Sequence, residues 1–312
     1  MKPHGVNFHY FENENYIKCQ GSIDERCFSS IIEYLNKKYN LLNASDFLKR
    51  VIDNAICEND ICLTLDDGLK CQYDIALPIL RKYGVTAFFF IYTSHFSGSP
   101  SNLEIFHDFR FSMFDDIDEF YNTFFEYVLK NKNLYETNIE KIIKEFDPTK
   151  YLIHSKCHTD TDRLFRYIRD CALTKQEYEN IMFNLMKFYN YKPESNYDKL
   201  WLSENEIREI SDSGNIIGLH SHSHPTSLLN KNYDEQFLEY SKNKNILSKI
   251  TGKEISVASY PSGKFNNDTI QVMKNLNIKL AFCANMDEGD PRNALLFPRK
   301  NHTDLLIEMQ KL

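Results

Sequence analysis

The chain has 312 residues, of which 42% are hydrophobic and 26% are charged. This composition is typical of a globular protein with a large core, arranged as one big domain or two ordinary ones. The formal net charge of −7 argues against a surface that binds phosphate backbones, which needs clustered Lys and Arg, so nucleic acid is not an expected partner.

The start of the chain lacks the basic region, the apolar run and the small-residue cleavage site of a signal peptide. No later stretch approaches the roughly 18 apolar residues of a membrane-spanning helix. We therefore expect a cytoplasmic protein without a transmembrane segment. The eight cysteines show neither a C-x-x-C spacing nor a regular framework, which predicts reduced and mostly buried thiols. The oligomeric state is not indicated.

The first clear elements lie between residues 61 and 92. The segment "ICLTL" (61–65) predicts a short buried strand, and residues 72–84 carry apolar side chains at helical spacing and stop at Gly84. The segment "VTAFFFIY" (85–92) predicts a second strand. Together these elements predict a β-α-β unit.

Residues 97–200 have a different character, because they contain several amphipathic helix patterns. Two of the clearest are residues 115–131 and residues 174–190, the second of which begins with a capping box. We interpret this stretch as a large helical insertion. Its aromatic stripes are interpreted as packing against the barrel rather than as a ligand site, although an insertion on a catalytic face can also shape a substrate cleft.

After residue 200 helices and strands alternate again. Residues 202–215 predict a helix with a Ser/Glu capping box and a glycine stop, and the strand "IIGLH" (216–220) follows. The later predicted elements are a helix over about 233–251, a strand over 255–261, a helix over about 266–276 and a strand over 278–284. This alternation favours a mainly parallel α/β sheet or barrel, in a single domain that spans residues 1–312 and is interrupted by the insertion.

Two polar motifs follow predicted strands. "TLDDG" (64–68) has two adjacent carboxylates, and Gly68 allows a backbone path that lets both reach one site, although Asp-Asp-Gly is also an ordinary turn sequence. In "IIGLHSHSHP" (216–225), His220 and His224 are spaced to act as two nitrogen ligands of a divalent metal, with a solvated loop as the alternative. Because both motifs lie at carboxyl ends of strands, where α/β folds assemble active sites, their joint placement favours a metal site.

These motifs resemble those of the polysaccharide deacetylase family, which is also called the NodB-homology domain or carbohydrate esterase family four. "TLDDG" is similar to the family's T-F-D-D-G motif, and "HSHSH" fits its H-[ST]-x-x-H motif. The resemblance covers about residues 5–95 and 200–300. It implies a distorted (β/α) barrel of about seven strands.

The resemblance also implies roles for individual residues. Asp66 would be the general base, Ser221 would brace the histidine loop, and His222 would have no ligand role. The implied cofactor is a divalent metal, zinc in first place, with cobalt, nickel, manganese or iron as alternatives. Its implied ligands are Asp67, His220 and His224.

The family's third motif is only partly present in "SYPSGKFN" (259–266). Ser259 stands where the family has the arginine that orients the base. Ser262 stands where the family has a tyrosine whose main-chain N–H helps to bind the oxyanion, a contact that any residue can make. Arg299 is a candidate replacement for the missing arginine, and a purely structural arginine is the alternative.

The family's last motif, a Leu-x-His that supplies the general acid, is not visible in its usual form. His302, near the expected end of the barrel, is preferred for this role over His9, near its start. His154, Cys157 and His158 imitate a zinc cluster, but they lack a second ligand group and are interpreted as incidental.

The resemblance therefore implies a metal-dependent hydrolase that removes an N-acetyl group from an amino sugar or sugar conjugate. In the cytoplasm, its substrate would be a nucleotide-linked, lipid-linked or small soluble sugar. One alternative is hydrolysis of another small amide or an O-acetyl ester by the same chemistry. The other is a catalytically silent carbohydrate-binding homologue, which the altered third motif and the missing last motif suggest.

Overall fold

The computed structural model describes residues 1–135, 137–152, 159–225 and 228–310. The chain divides into two compact units, one discontinuous in sequence and the other mainly helical. The first comprises Met1–Lys18, Ser22–Ser101 and Asp198–Leu312, and the second comprises Cys19–Gly21 and Asn102–Tyr197. Apart from its short N-terminal piece, the second unit falls within the stretch interpreted as an insertion at about 97–200. A single catalytic domain stays a prediction.

The strands of the first unit are short and parallel. They are β1 His4–Phe8, β2 Asn40–Leu41, β3 Asp60–Leu65, β4 Phe88–Ile91, β5 Ile216–Leu219, β6 Val257–Ser259, β7 Leu280–Phe282 and β8 Arg299–Asn301. Seven of them follow the order β7-β6-β5-β4-β3-β1-β8, and β2 pairs with β3 beside this path. A parallel bridge between Phe282 and Phe297 links the two ends. The result is a nearly closed parallel barrel, which confirms the expected distorted (β/α) barrel of about seven strands.

Helices connect the strands and form the second unit. They are α1 Glu25–Lys38, α2 Ala44–Ile52, α3 Leu77–Tyr83, α4 Asn102–Ser112, α5 Ile117–Lys130, α6 Ile139–Glu145, α7 Asp160–Tyr167, α8 Lys175–Phe188, α9 Tyr197–Leu200, α10 Glu204–Asp212, α11 Tyr233–Thr251, α12 Asn267–Asn275 and α13 His302–Met309. Within the described ranges, no helix has both the length and the apolar character that a membrane crossing requires.

The two faces of the strands pack into different parts of the core. On β4, Phe89 and Ile91 join a cluster that includes apolar residues of α1, α3, α10 and α11, so this face is covered by helices. Phe88 and Phe90 point the other way and pack with Phe282 of β7 and other inward-facing side chains. Because both faces are buried, strands such as β4 and β5 read as continuous apolar runs in the sequence.

The elements expected from sequence on both sides of the insertion are confirmed. Strands β4 to β7 are one to four residues shorter than the strands predicted from sequence. The helix predicted over 72–84 begins as one π-type turn, Gln72–Ala76, before α3. It ends at Gly84, whose φ of 65° provides the left-handed C-cap. Capping boxes are present at the start of α8 and of α10, as predicted.

The second unit has its own aromatic core. Phe109, Phe120, Phe124 and Phe165 are fully buried, and the rings of Phe120 and Phe165 meet edge to face at 5.4 Å. The rings of Phe109 and Phe120 lie 6.3 Å apart, so these contacts join α4, α5 and α7. The sequence predicted that the aromatic stripes pack against the barrel, whereas these side chains form a core inside this unit.

Candidate active site

The predicted site residues lie at the carboxyl ends of two barrel strands. Asp66 and Asp67 follow β3, and His220 and His224 follow β5. Among the described residues, Asp67, His220 and His224 form the one group whose potential metal-ligand atoms all lie within 4.8 Å of one another. The topology thus brings together side chains that are more than 150 positions apart in the chain.

The carboxylate of Asp67 faces both imidazoles. Its Oδ1 atom lies 3.3 Å from Nε2 of His220 and 3.3 Å from Nε2 of His224, and all three residues are buried. This oxygen accepts no hydrogen bond within the described part of the chain. Burying a carboxylate oxygen without a hydrogen bond costs free energy unless a positively charged group lies next to it.

The main chain selects the tautomer of His220. Its Nδ1 atom lies 2.9 Å from the carbonyl oxygen of Ser259, and because a carbonyl only accepts, Nδ1 must donate. In the neutral ring, Nε2 then presents its lone pair to Asp67. Lone pairs that face each other at this distance repel unless a cation lies between them. Two nitrogens and one carboxylate oxygen form a donor set that fits zinc and similar divalent metals.

The turn after β3 lets adjacent carboxylates serve one site. Asp67 has a φ of 79° and Gly68 a φ of 66°, so both lie in the left-handed region. Burial raises the pKa of the Asp67 carboxyl, but the positive charge of His220 and His224, when their rings are protonated at Nε2, outweighs this effect and holds the pKa well below its usual range. A metal cation in place of those protons would act in the same direction. Asp67 is therefore ionised, as a metal ligand must be.

Asp66 is held by an arginine from the opposite end of the chain. Nη1 of Arg299 donates to Oδ1 of Asp66 at 2.8 Å, and the hydroxyl of Ser259 donates to Oδ2 at 3.2 Å. Nδ2 of Asn7 lies 3.4 Å from Oδ2. Burial raises the pKa of Asp66, and the positive charge of Arg299 more than offsets it, so the pKa lies below its ordinary value. The carboxylate is therefore ready to accept a proton.

Ser262 lies in a strained turn after β6. Its φ is 52°, inside the segment Pro261–Gly263, and its side chain is exposed. Gly263 follows with a φ of 67°, and a Cβ at this position would come within 2.6 Å of Ala284 Cβ. The structure places Ser259 on Asp66; the proposed role of the Ser262 main-chain N–H stays a prediction.

The other histidines differ in their surroundings. His302 begins α13, is 4% exposed, donates from Nδ1 to the carbonyl of Asn7 and stacks on Phe8. The side chain of His9 is 31% exposed, and its Nε2 atom lies 3.9 Å from Oδ2 of Asp66 and 4.0 Å from Oδ2 of Asp67. The contacts therefore place His9, which sequence reasoning ranked second, beside both carboxylates.

The histidine loop has an internal brace. The main-chain N–H of His224 donates to Oγ of Ser221 at 3.1 Å, which is the bracing contact expected of this serine. His222 packs elsewhere, with Nδ1 2.9 Å from Oγ1 of Thr93. The histidine and cysteine group at 154–158 lies outside the described residues.

Sequence reasoning missed β1 and its Asn7, although it named His9 as the second candidate for the general acid. Asn7 accepts a hydrogen bond from Arg299 at 3.1 Å as well as contacting Asp66, and His9 follows directly after this strand. The available signal was weak: "HGVNFH" has only Val6 and Phe8 as large apolar residues, at alternate positions, and a polar residue follows it as in the two motif strands.

Comparisons with known proteins show a family and a fold. A family model described as polysaccharide deacetylase matches residues 53–168 and 171–281. No curated protein sequence matches the chain.

Among solved structures, the deacetylase PplD of Streptococcus pyogenes is 16% identical, with 96% of this chain and 92% of that chain covered and a TM-score of 0.54. IcaB from Ammonifex degensii is 13% identical, with 96% and 90% covered and a TM-score of 0.56. A polysaccharide deacetylase from Bacillus cereus is 15% identical, with 96% and 65% covered and a TM-score of 0.52. At these identities the likeness is one of fold. Because the family model matches more than half of the chain, the chain belongs to the polysaccharide deacetylase family.

Proposed function

We propose that this chain is a metal-dependent hydrolase that removes the N-acetyl group from an amino sugar or sugar conjugate. The observation that carries the proposal is the convergence of Asp67, His220 and His224 around one buried point, with the ionised carboxylate of Asp66 beside them. Membership of the deacetylase family supports the hydrolysis of an acetyl group.

The metal ligands would be Oδ1 of Asp67 and the Nε2 atoms of His220 and His224, which face one another. A divalent metal, zinc or one of cobalt, nickel, manganese and iron, would supply Lewis-acid activation of water and of the acetyl carbonyl when bound.

Asp66 would act as the general base. Its Oδ1 atom is occupied by Arg299, so Oδ2 is the oxygen that would take a proton from the attacking water. Ser259 holds Oδ2 in place with a hydroxyl donor. A fixed orientation keeps the accepting lone pair on the reacting atoms, which is how positioning lowers the barrier of proton transfer.

His9 would act as the general acid. It is partly exposed and lies within 4.0 Å of both carboxylates, so it has access to a bound substrate and to a proton that Asp66 collects. It would deliver a proton to the departing amine nitrogen. The main-chain N–H of Ser262 would stabilise the negative charge on the acetyl oxygen, and one such donor is worth about 3 kcal/mol in a transition state.

The contact between Arg299 and Asp66 bears on the silent-homologue alternative. That alternative rested partly on the missing third-motif arginine, and Arg299 supplies a guanidinium to the same carboxylate. We further propose that the protein works in the cytoplasm on a nucleotide-linked, lipid-linked or small soluble sugar, as the sequence suggested.

The proposal is tested with the full chain, loaded with zinc, cobalt or nickel, and a panel of N-acetylated, N-formylated and O-acetylated sugars. Mass spectrometry should show loss of one acetyl group from an N-acetylated sugar, with release of acetate. Asp66→Asn should abolish this turnover, whereas Asp287→Asn, at an exposed carboxylate, should retain it. Loss of an O-acetyl or formyl group alone would favour the ester or amide alternative, and no turnover by the metal-loaded wild type would favour a silent binding protein.

A further inference from the structure

The loop between the two ligand histidines has an unfavourable backbone. Ser221 and His224 have φ angles of 58° and 49°, in the left-handed region that residues with a Cβ atom avoid. Such conformations persist only where the surrounding structure holds them. The contacts of this loop therefore decide whether its imidazoles are in place.

Helix α11 provides the first of these contacts through Asn243. Oδ1 of Asn243 accepts the main-chain N–H of His220 at 3.0 Å. Nδ2 donates to the carbonyl of Ile91 at 2.9 Å and to Oγ1 of Thr93 at 3.1 Å. One fully buried amide thus ties the start of the histidine loop to the end of β4.

Glu239 provides the second contact, one helical turn earlier on the same face of α11. Its Oε2 atom accepts the main-chain N–H groups of His222 at 3.2 Å and of Ser223 at 2.8 Å. Its Oε1 atom accepts the hydroxyl of Ser223 at 2.8 Å. Hydrogen bonds to a carboxylate are stronger than those between neutral groups, so the middle of the loop is firmly held.

Thr93 closes the arrangement from the strand side. Its main-chain N–H donates to the carbonyl of His222 at 3.0 Å, and its Oγ1 atom lies 2.9 Å from Nδ1 of the same residue. His222, which has no ligand role, thereby helps to seat the loop between β4 and α11.

We propose that Glu239 and Asn243 are positioning residues that pre-form the histidine loop, so that His220 and His224 present their Nε2 atoms to Asp67 before an ion binds. This inference rests on the proposed metal-dependent function. It follows that metal affinity depends on the face of α11 that carries these two side chains.

The test is a titration of the metal-free full chain with Co²⁺, followed by visible absorption. Glu239→Ala should weaken Co²⁺ binding by about 10- to 100-fold, the range that is typical of residues that orient metal ligands. Glu239→Gln, which keeps the size and an acceptor oxygen for the two N–H groups, should restore affinity close to the wild-type value. Asn245→Ala, at an exposed position on the same helix, should bind as the wild type does.

Thermal unfolding in excess chelator separates loop positioning from general stability. If Glu239→Ala is too unstable to titrate, Asn243→Asp replaces it, because aspartate keeps the acceptor for His220 but loses both donors to the end of β4. This variant should likewise bind Co²⁺ more weakly.

Three results would overturn the inference. Wild-type affinity in Glu239→Ala, or in Asn243→Asp where that variant replaces it, would show that the loop does not need α11. An equal loss of Co²⁺ affinity in Glu239→Gln would show that binding depends on the charge of Glu239 and not on its hydrogen bonds to the loop. Failure of the wild type to bind Co²⁺ would contradict the proposed metal-dependent function itself. The first two results would contradict only the role of α11, so the two kinds of failure are distinguishable.

Discussion

Nη1 of Arg299 lies 2.8 Å from Oδ1 of Asp66, although 233 positions separate the two residues. Both side chains are buried, at 1% and 3% exposure. The same guanidinium donates from Nε to the carbonyl of Cys283 at 2.7 Å, which fixes its orientation. The candidate base is thus held by a residue of β8, because the third-motif position on β6 carries only the hydroxyl of Ser259.

We expect Arg299→Lys to lower kcat/KM for the N-acetylated sugar by about 10²-fold, because a lysine keeps the charge but cannot hold Asp66 and the carbonyl of Cys283 at the same time. Arg299→Met should lower the free energy of unfolding by about 3–5 kcal/mol, since it leaves a buried carboxylate without its counter-charge. Steady-state kinetics and urea unfolding measure the two effects.

Arg292→Lys is the matched control, because Arg292 forms an ion pair whose arginine side chain is 88% exposed. It should change the free energy of unfolding by less than about 0.5 kcal/mol. Unchanged kinetics in Arg299→Lys would mean that Arg299 has only a structural role.

The sequence was sufficient to predict the alternating elements and the residues of the two specific motifs. Each signal is local: an apolar run predicts a buried strand, and a polar cluster directly after it predicts a strand-end site. The distances among Asp67, His220 and His224 show that these local signals point to one place. Closure of the barrel by β1 and β8 was not predicted, because neither His4–Phe8 nor Arg299–Asn301 is a continuous apolar run in the sequence.

The general acid cannot be chosen from local sequence signals either, and the preference for His302 over His9 stays a prediction. Both histidines adjoin strands that pair with each other, so their order along the chain could not tell which one lies nearer the carboxylates. That choice depends on side-chain direction at β1 and at the start of α13. The roles of Glu239 and Asn243 were also unpredictable, because a helix sequence does not reveal which loop its polar face contacts.

Metal removal should destabilise the protein reversibly. A metal that binds only the folded state stabilises it by about 4 kcal/mol at a concentration 1,000 times its dissociation constant. Adding Zn²⁺ to chelator-treated protein should therefore raise the melting temperature, and Asp67→Ala should abolish the rise. Differential scanning fluorimetry measures both.

Asp287→Ala, at an exposed carboxylate, is the control for this experiment and should retain the full rise. A rise of the same size in Asp67→Ala would place the metal at another site.

Two glycines with nearly the same backbone angle differ in the space around them. At Gly84, with a φ of 65°, an added Cβ would have no atom of the described residues within 4 Å, whereas a Cβ on Gly68, at a φ of 66°, would lie 2.7 Å from Cγ2 of Ile91. Gly84→Ala should cost about 1–2 kcal/mol for the left-handed backbone alone. Gly68→Ala should cost about 1–3 kcal/mol more, because the methyl group overpacks the turn that presents Asp67.

The free energies of unfolding in urea measure this difference, with Gly84→Ala as the internal reference for backbone strain. Equal losses in the two variants would show that Ile91 moves aside without cost.

The assignment of the general acid predicts a dependence on the leaving group. An amine must be protonated as it departs, whereas p-nitrophenolate leaves without a proton. His9→Gln should therefore lower turnover of the N-acetylated sugar by about 10²- to 10⁴-fold and have a much smaller effect on p-nitrophenyl acetate. Parallel kinetics with the two substrates give the ratio.

His302→Gln is the comparison variant, because His302 is buried against Phe8 and bonded to the main chain of Asn7. It should lower the melting temperature and change both turnover rates by the same factor, since a packing defect does not distinguish leaving groups. If His302→Gln were selective for the sugar and His9→Gln were not, the proton would come from His302, and the position of His9 beside Asp66 and Asp67 would have to serve substrate binding instead.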